Sequence, residues 1–559
     1  MVRQMYSAEP ATKFMPWSRS GARWRLGAVA VAGLVCLPIA ALVLIAFQGS
    51  TGLWPHMFAY VLPAAMRNTV ILLLGVGLLV TLIGTTTAWL VTAYDFPGRR
   101  FLEWALLLPL AVPTYIIAYA YLDILHPVGP VQSMLRDLLG YSSPREFRLP
   151  DIRSIGACTL LLGLVLYPYV YLTTRAMFLT QAANLVEVSR TLGIRRGAVF
   201  REVAFPLARP AIAVGVSLAL METLNDIGAS QFLGVRTLTV SVYSTWVNRS
   251  DMPGAAQISL AMLAIVVLLV LIERRARRNQ RYATAAQRPR VMAPVRLTGP
   301  RAASAFGICF LPIALGFVAP AIYLLNEAWK RYQFAGISSR IWTEIGNTVA
   351  VSAIATLVVL LCGLLFAYAA RSYPGRVTAL AARVSTLGYA VPGTVLAIGV
   401  LVPIGLFDRF WAGSVERLTG GAPGLLLLGS GAALVMAYSA RFMAISTGGV
   451  EAGFSRISPS LDYAARMLGQ TSTGVFCNVH LPLSKAAIGS AGLLIFVDCM
   501  KELPATLLLR PLNFETLATH LYGEAARGTY EEASIAALLI VLIGILPVAV
   551  LSRLGRVAP

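Results

Sequence analysis

Long runs of apolar residues, separated by short polar stretches, dominate the chain from one end to the other. Many windows hold about 20 mainly apolar residues, the length of α-helix that crosses about 30 Å of hydrocarbon. The runs are continuous rather than alternating, so they indicate membrane-spanning helices and not the strands of a barrel. The pattern therefore predicts an all-α polytopic membrane protein.

The apolar runs fall into two sets of six. The first set is predicted at residues 26–47, 68–93, 102–124, 154–178, 208–232 and 254–273, and the second at residues 303–326, 347–372, 381–406, 424–446, 484–509 and 533–553. We therefore divide the chain into an N-terminal segment 1–25, a first repeat 26–273, a linker 274–302, a second repeat 303–553 and a tail 554–559.

One polar pattern interrupts the apolar runs twice, once in each half. The first polar loop, residues 187–207, reads EVSRTLGIRRGAVFREVAFPL, and the second polar loop, residues 463–483, reads YAARMLGQTSTGVFCNVHLPL. Their glycines, Gly193 and Gly469, are 276 residues apart, and a second repeated motif, Asn-Thr-Val, begins at Asn68 and again at Asn347. An even number of helices in each unit gives both units the same orientation, so the sequence predicts a parallel duplication.

Each polar loop has the residues of a helix-turn-helix protrusion. Gly193 and Gly469 permit a sharp reversal between two short helices, including a turn with positive φ. Pro206 and Pro482 suit the first turn of the next membrane helix, where a missing N–H costs nothing. His480, inside the second loop, is expected to be a surface residue.

Charge places these loops on one side of the membrane. The chain is 57% hydrophobic and 13% charged, with a net charge of +21. Nine arginines and one glutamate lie between Glu273 and Arg301, and further arginines cluster before the first span and in every second loop. This positive-inside bias predicts cytoplasmic termini, linker and polar loops. A basic nucleic-acid patch in the linker is the weaker interpretation, because charge runs beside membranes usually set topology.

Several absences limit the chemistry of the chain. The six cysteines form no CxxC pair and the four histidines are dispersed, so no metal centre or disulfide framework is predicted. The phosphate-binding pattern GxxxxGK[ST] does not occur, nor does a nucleophile elbow or zincin motif. The chain is therefore not expected to be an enzyme, and any ATP hydrolysis that drives it must lie on another polypeptide.

The two polar loops resemble the EAA loop of type I ABC importer permeases. The resemblance is carried in the first loop by Glu187, Gly193, Val203 and Pro206, and in the second by Ala464, Ala465, Gly469, Leu481 and Pro482. Tyr463 stands where the family has glutamate, with Asp462 beside it. The resemblance implies a multi-pass permease of the bacterial inner membrane that works with two copies of a cytoplasmic ABC ATPase and a periplasmic binding protein. ATP and Mg²⁺ would bind the ATPase, with no cofactor on this chain.

The segments that follow the two loops narrow the resemblance. METLNDIGASQFLGVRTLTVSVY (221–243) and MKELPATLLLRPLNFETLATHLY (500–522) are similar to the fused, two-domain permeases of the iron(III) import subfamily. Fused thiamine permeases share this architecture and remain an alternative cargo class. An ion-coupled secondary transporter and a non-transporting scaffold are alternatives of other classes, but neither accounts for the paired loops.

Four carboxylates occupy matching positions in these segments: Glu222, Asp226, Asp498 and Glu502. Each pair is spaced i, i+4 on one helix face. Glu222 lies about 24 Å along the helix from Pro206, in the outer half of the bilayer, where ionisable groups usually face an aqueous path or a partner. Such groups would favour a hard cation. The alternative, that they cap helices or form structural pairs with a base such as Lys501, is equally open.

Overall fold

The computed structural model describes residues 19–49, 55, 57–180, 189, 196–278, 294–373, 375–385, 387–421 and 423–554. The α-helices of the first half are α1 (Arg19–Ala46), α2 (Leu62–Ala93), α3 (Arg99–Ala105), α4 (Thr114–Ile124), α5 (Pro130–Leu139), α6 (Ile155–Thr180), α7 (Arg196–Val199), α8 (Phe205–Asn225), α9 (Gly228–Phe232), α10 (Leu238–Tyr243) and α11 (Met252–Arg278). Those of the second half are α12 (Pro300–Ile313), α13 (Ala319–Ala335), α14 (Ser339–Ser372), α15 (Arg376–Ser385), α16 (Gly393–Thr419), α17 (Ala432–Phe454), α18 (Pro459–Met467), α19 (Ser472–Val475), α20 (Leu481–Met500), α21 (Pro504–Leu509), α22 (Leu517–Arg527) and α23 (Tyr530–Leu554).

Short non-α turns join several of these helices. Five-residue π-helical turns lie at Met57–Val61, Phe200–Ala204, Ser244–Asn248, Ala314–Val318 and Phe476–His480, and 3₁₀ turns lie at Leu108–Ala111 and Leu387–Ala390. Two two-residue strands, β1 (Tyr94–Asp95) and β2 (Val295–Arg296), pair in parallel. The end of the linker is thereby fixed to the turn after α2.

Eleven helices in the described part of the chain are long and apolar enough to cross a bilayer, and one bent pair of helices meets the same criterion when taken together. The protein is thus an all-α, multi-pass membrane protein, as the apolar runs predict. The third span of the first half was expected as one helix over residues 102–124, and this is wrong: the chain bends by 90° between Arg99–Ala111 and Thr114–Ile124. Pro113 causes the break, because a residue before proline is driven from helical to extended backbone, and Val112 has ψ 115°.

The repeated Asn-Thr-Val motif makes the same contacts in both halves. Asn68 donates its side-chain N–H to the carbonyl of Arg236 at 3.2 Å, and Asn347 donates to the carbonyl of Glu515 at 3.0 Å. The next residue in each motif, a threonine, accepts a hydrogen bond from the first backbone N–H of α10 or α22, at 3.0 and 2.9 Å. The motif therefore fixes each second span to the short helix that follows its fifth span.

The first helix of each half packs against the other half. In α1, the carbonyl of Pro38 would lie 2.1 Å from a Cβ added at Gly399 of α16, so the two backbones touch. In the reciprocal contact, Tyr323 of α13 donates its hydroxyl to Asp123 of α4 at 2.6 Å. The first span of each half thus contacts the other half, and these two contacts hold the halves together.

Candidate functional site: the polar loops and the central cavity

The second polar loop forms two short helices with a reversal between them. Helix α18 ends at Met467, Gly469 follows with φ 85°, and α19 begins at Ser472. The backbone N–H of Gly469 donates to Arg466 and that of Gln470 to Ala465, both at 3.0 Å, which is the pair of bonds of a Schellman motif. Only glycine adopts this positive φ without strain, so the reversal requires Gly469.

The tip of this loop exposes apolar side chains. Tyr463, Met467 and Leu468 are 68, 87 and 83% exposed, although each is large and apolar. Ala464 is exposed as well, whereas Ala465 is buried against the rest of the loop. An exposed apolar patch of this kind is typical of a surface that contacts a partner.

Both loops enter the membrane through the same irregular turn. In the first loop the π-helical turn Phe200–Ala204, which contains Val203, leads into α8, with Pro206 in its first turn. In the second, Phe476–His480 leads into α20, which begins at Leu481 and carries Pro482 in its first turn. The two turns are 276 residues apart, like the loops themselves. Glu187 and Gly193, the other two predicted residues of the first loop, lie outside the described residues.

The expectation that His480 is a surface residue is wrong. Its side chain is fully buried, and Nε2 lies 2.6 Å from Asp462 Oδ1. The other oxygen of Asp462 accepts from Arg371 Nε at 3.0 Å, and Arg371 also donates to the carbonyls of Phe454 and Ile457. Burial favours the neutral form of Asp462, but the hydrogen bonds and charges of His480 and Arg371 outweigh burial and lower its pKa. This network, Arg371–Asp462–His480, ties the loop to the ends of α14, α17 and α20.

All four carboxylates predicted from the repeat line one cavity between the halves. Its volume is about 110 Å³, and Glu222 and Asp226 reach it from the first half while Asp498 and Glu502 reach it from the second. The 276-residue offset thus identifies side chains that the fold brings together. Their surroundings divide them into two kinds.

Asp226 and Glu502 cap short helices. Asp226 accepts hydrogen bonds from Thr114 Oγ1 at 2.6 Å and from the backbone and hydroxyl of Ser230 in α9 at 2.8 and 2.9 Å. Glu502 accepts from the backbone N–H groups of Ala505 and Thr506 at the start of α21, at 3.1 and 3.2 Å. Both side chains are buried and their oxygens are occupied. The contacts of Asp226 and Glu502 are therefore those of helix-capping residues, the alternative to a role in the cargo path.

Glu222 and Asp498 are more open to the cavity, with 23 and 26% of their side chains exposed. Tyr389 donates its hydroxyl to Glu222 Oε1 at 3.2 Å. Lys501 Nζ lies 2.9 Å from Asp498 Oδ1, so Lys501 neutralises Asp498 rather than Glu502. These two carboxylates are therefore the ones that a passing solute could reach.

Sequence reasoning missed the base at the centre of the cavity. Arg441, on α17, donates to Asn225 Oδ1 at 2.6 Å and lies 3.4 Å from Glu502 Oε1 and 3.7 Å from Glu222 Oε2. The available signal was a single arginine within an apolar run, since an ionisable residue at membrane depth is a functional candidate by default.

Comparison with known proteins places this architecture in a family. Residues 80–282 match the family described as binding-protein-dependent transport system inner membrane component. Over 526 residues, 93% of this chain and 96% of the relative, the sequence is 24% identical to the Fe(3+)-transport system permease protein FbpB 2 of Haemophilus influenzae. Residues 80–282 therefore form a domain of this permease family. With the similarity to the Fe(3+) permease over nearly its whole length, the chain is an ABC importer permease.

Shorter relatives of the permease have other cargoes in their names. The molybdenum transport system permease protein ModB of Escherichia coli is 28% identical over 34% of this chain and 82% of its own length. The sulfate transport system permease protein CysT of Salmonella typhimurium is 25% identical over 42% of this chain and 84% of its own length. The cargoes named for these relatives therefore include both a cation and an oxyanion.

One other group of the permease has metal-ligand geometry. Among the described residues, Glu344, Glu515 and His520 present three ligand atoms within 4.8 Å of one another. Arg340 lies 3.1 Å from both carboxylates, so these charges already have a cationic partner. Burial lowers the pKa of His520, but its hydrogen bond to Glu344 and the charges of Glu344, Glu524 and Glu515 prevail and raise it. The group is an ion-pair cluster of the second half.

Proposed function

We propose that this permease imports a hard, highly charged cation, with ferric iron as the first choice. The observation that carries the proposal is the charge of the central cavity. Four carboxylates and two bases, Arg441 and Lys501, line it, which gives a formal charge of −2. Phenol and carboxylate oxygens dominate its polar lining, and hard cations prefer oxygen ligands.

The same cavity disfavours the oxyanions named for the shorter relatives. Charges in a cleft of low dielectric interact strongly, so a dianion beside Glu222 and Asp498 would be repelled. The two bases do not offer an anion site, because each is already paired with a carboxylate. Similarity to the Haemophilus influenzae Fe(3+) permease over nearly the whole chain supports the same choice.

The polar loops are proposed to connect this cavity to a cytoplasmic ATPase. Each loop would dock in one of two ATPase copies, with the exposed tip at Tyr463 and Met467 as the contact surface of the second loop. The Arg371–Asp462–His480 network joins that loop to α17 and α20. These two helices carry Arg441 and Asp498, about 20 and 24 Å further along at 1.5 Å per residue. A movement of the second loop would therefore be transmitted along α17 and α20 to Arg441 and Asp498 in the cavity.

The remaining assignments follow from this mechanism. The loops, both termini and the linker would be cytoplasmic, in the inner membrane of a bacterium, and a periplasmic binding protein would deliver cargo to the opposite face. ATP and Mg²⁺ would bind the ATPase, and this chain would hold no cofactor of its own. Lipid surrounds the permease, and the basic linker is assigned to topology rather than to nucleic acid.

Uptake into proteoliposomes tests the proposal. Permease co-reconstituted with its ATPase and iron-loaded binding protein is expected to accumulate radiolabelled iron only with ATP, and to ignore molybdate, sulfate and thiamine. E222Q and D498N should each lower the initial rate about tenfold or more, because each removes an accessible charge from the path. D137N, at an exposed carboxylate of α5, is the matched control and should transport normally.

Three results would contradict the assignment. ATP-driven uptake of an oxyanion or of thiamine would replace the cargo. Uptake that collapses with an uncoupler but persists without ATP would indicate an ion-coupled transporter instead. Normal iron uptake by E222Q and D498N, at normal expression, would remove the cavity carboxylates from the path.

A further inference from the structure

Arg441 occupies the centre of the cavity as a fixed cation. Its side chain is 7% exposed, and its Nη atoms contact Asn225, Glu502 and Glu222. Its Nε is buried and has no hydrogen-bond partner among the described residues. A buried guanidinium with an unused donor, directed at carboxylates from both halves, is more than a packing contact.

The repeat shows that Arg441 has no basic counterpart in the first half. A Cβ added at Gly84 would lie 2.7 Å from Val170, and one at Gly363 would lie 2.6 Å from Ser446, so α6 and α17 correspond with an offset of 276 residues. The same offset pairs Arg441 with Val165, which also lines the cavity. The scaffold is therefore compatible with an apolar residue at this point, and a requirement beyond folding accounts for the arginine.

Oxygen donors surround the guanidinium on the side of the cavity. Each half contributes one carboxylate and one phenol: Glu222 and Tyr169 from the first, Asp498 and Tyr389 from the second. Carboxylate and phenol oxygens are hard donors, suited to small, highly charged cations and poorly suited to soft ones. Such a set, divided between the two halves, could bind a cation in one arrangement of the halves and release it in another.

We propose that Glu222, Asp498, Tyr169 and Tyr389 form a transit site for a hard trivalent cation, and that the guanidinium of Arg441 is its resident counter-ion. Cargo displaces the guanidinium from Glu222, and the guanidinium returns when the cargo leaves. Glu222 is the partner that is released, since its 3.7 Å contact is the longest of the three and Asn225 and Glu502 continue to hold Arg441. This inference rests on the proposed import of a hard cation and names its site.

The counter-ion has a clear consequence for affinity. With Arg441 in place the cavity carries a formal charge of −2, and without it the charge is −3 and Glu222 has lost its basic partner. A cation would then bind more tightly and leave more slowly. Arg441 therefore keeps the transit site weak enough for cargo to pass, at the position where the two halves meet.

Terbium(III) is a direct probe, because it is a hard trivalent cation whose luminescence is sensitised by a nearby tyrosine. Purified full-length permease would be titrated with Tb³⁺ as wild type, R441Q, R441K and the double variant E222Q/R441Q. We expect R441Q to bind about tenfold more tightly or more, since one unit charge at this distance in a low-dielectric site has at least that effect. R441K should remain within a few fold of wild type, and E222Q/R441Q should lose the gain.

The matched control is R331Q, which removes an arginine that pairs with Glu532 at 3.0 Å outside the cavity. It should leave Tb³⁺ binding unchanged. Y389F should weaken the sensitised emission of R441Q, because it removes a chromophore that lines the site. If R441Q does not fold, the charge-balanced E222Q/R441Q, compared with E222Q alone, still measures the contribution of the guanidinium.

The outcomes separate this inference from the cargo assignment. Equal Tb³⁺ affinity in wild type and R441Q, or an E222Q/R441Q variant that binds Tb³⁺ as tightly as R441Q, would overturn the counter-ion role. If R441Q binds Tb³⁺ more tightly but the wild-type permease shows no ATP-driven iron uptake, the transit site is supported and iron is rejected as cargo. Iron uptake with a Tb³⁺ response that is the same in all variants would keep the cargo and reject the site.

Discussion

The two halves of the permease share the contacts that build the fold and differ in those that place charge. Asn68 and Asn347 make equivalent hydrogen bonds, and Asp226 and Glu502 cap equivalent helices. In contrast, the position of Arg441 in the second half is occupied by Val165 in the first. Duplication thus preserved the positions that satisfy the backbone, where a change leaves buried polar groups unpaired.

Two further differences also place charge in the second half. The first half has the buried Ala204 where the second has His480, and Asn225 where the second has Lys501. Each difference adds an ionisable group to the second half, beside the polar loop or the cavity. At these positions the second half makes electrostatic contacts that the first half lacks, so we expect the halves to respond unequally to mutation there.

The largest expected effect is at the reversal of the second loop. Gly469→Pro should lower ATP-driven uptake about tenfold or more and prevent co-purification of the ATPase, because proline fixes φ near −65° where the loop has 85° and removes the N–H bonded to Arg466. Gly420→Pro, at a positive-φ glycine at the end of α16, is the control and should retain the ATPase.

Gly193→Pro extends this test to the first loop. Equal losses in Gly193→Pro and Gly469→Pro would mean that both loops engage an ATPase in the same way. A much milder effect of Gly193→Pro would assign the dominant contact to the second half. Normal ATPase capture by Gly469→Pro would count against the docking role of the second loop.

The capping carboxylates should differ in their contribution to stability although their geometry is alike. Glu502→Gln leaves Arg441 with one acidic partner fewer and should lower the free energy of unfolding by about 3 kcal/mol, the order seen when a buried ion pair is broken. Asp226→Asn weakens only hydrogen bonds from neutral groups and should cost about 1 kcal/mol. Unfolding midpoints in detergent measure both, with the exposed Glu416→Gln as control. The reverse order would mean that Arg441 does not depend on Glu502.

Much of this architecture could be predicted from the sequence, because it is periodic or repeated. Runs of apolar residues gave the helical membrane class, and the 276-residue offset located the carboxylates that share the cavity. The bend at Pro113 also had a signal, since proline restricts the residue before it. The apolar run on both sides of Pro113 is nevertheless long enough to predict one continuous span.

What could not be predicted depends on contacts between distant residues. His480 is buried because Asp462 and, through it, Arg371 meet it in the folded loop, and Arg371 lies 91 residues before Asp462 in the chain. Arg441 corresponds to an apolar residue, Val165, in the first half and belongs to no motif. Its charge within an apolar run was therefore the one sequence signal for a functional role. The division of the carboxylates into caps and open groups likewise depends on which backbone N–H groups face each one.

The smallest expected effect concerns the ion-pair cluster of the second half. His520 Nδ1 lies 3.0 Å from Glu344 Oε1, whereas the equivalent residue in the first half, Ser241, donates to a backbone carbonyl. Because folding raises the pKa of His520, its stabilising contribution is complete below its unfolded pKa of about 6.5 and is lost as pH rises through the folded pKa. His520→Gln should therefore lower the free energy of unfolding at acidic pH by on the order of 1 kcal/mol or less, as measured from unfolding midpoints. The difference from wild type should shrink as the pH becomes alkaline. His126→Gln, at an exposed histidine, is the control substitution. A His520→Gln difference that stays constant with pH would mean that the imidazole contributes by packing and not by charge.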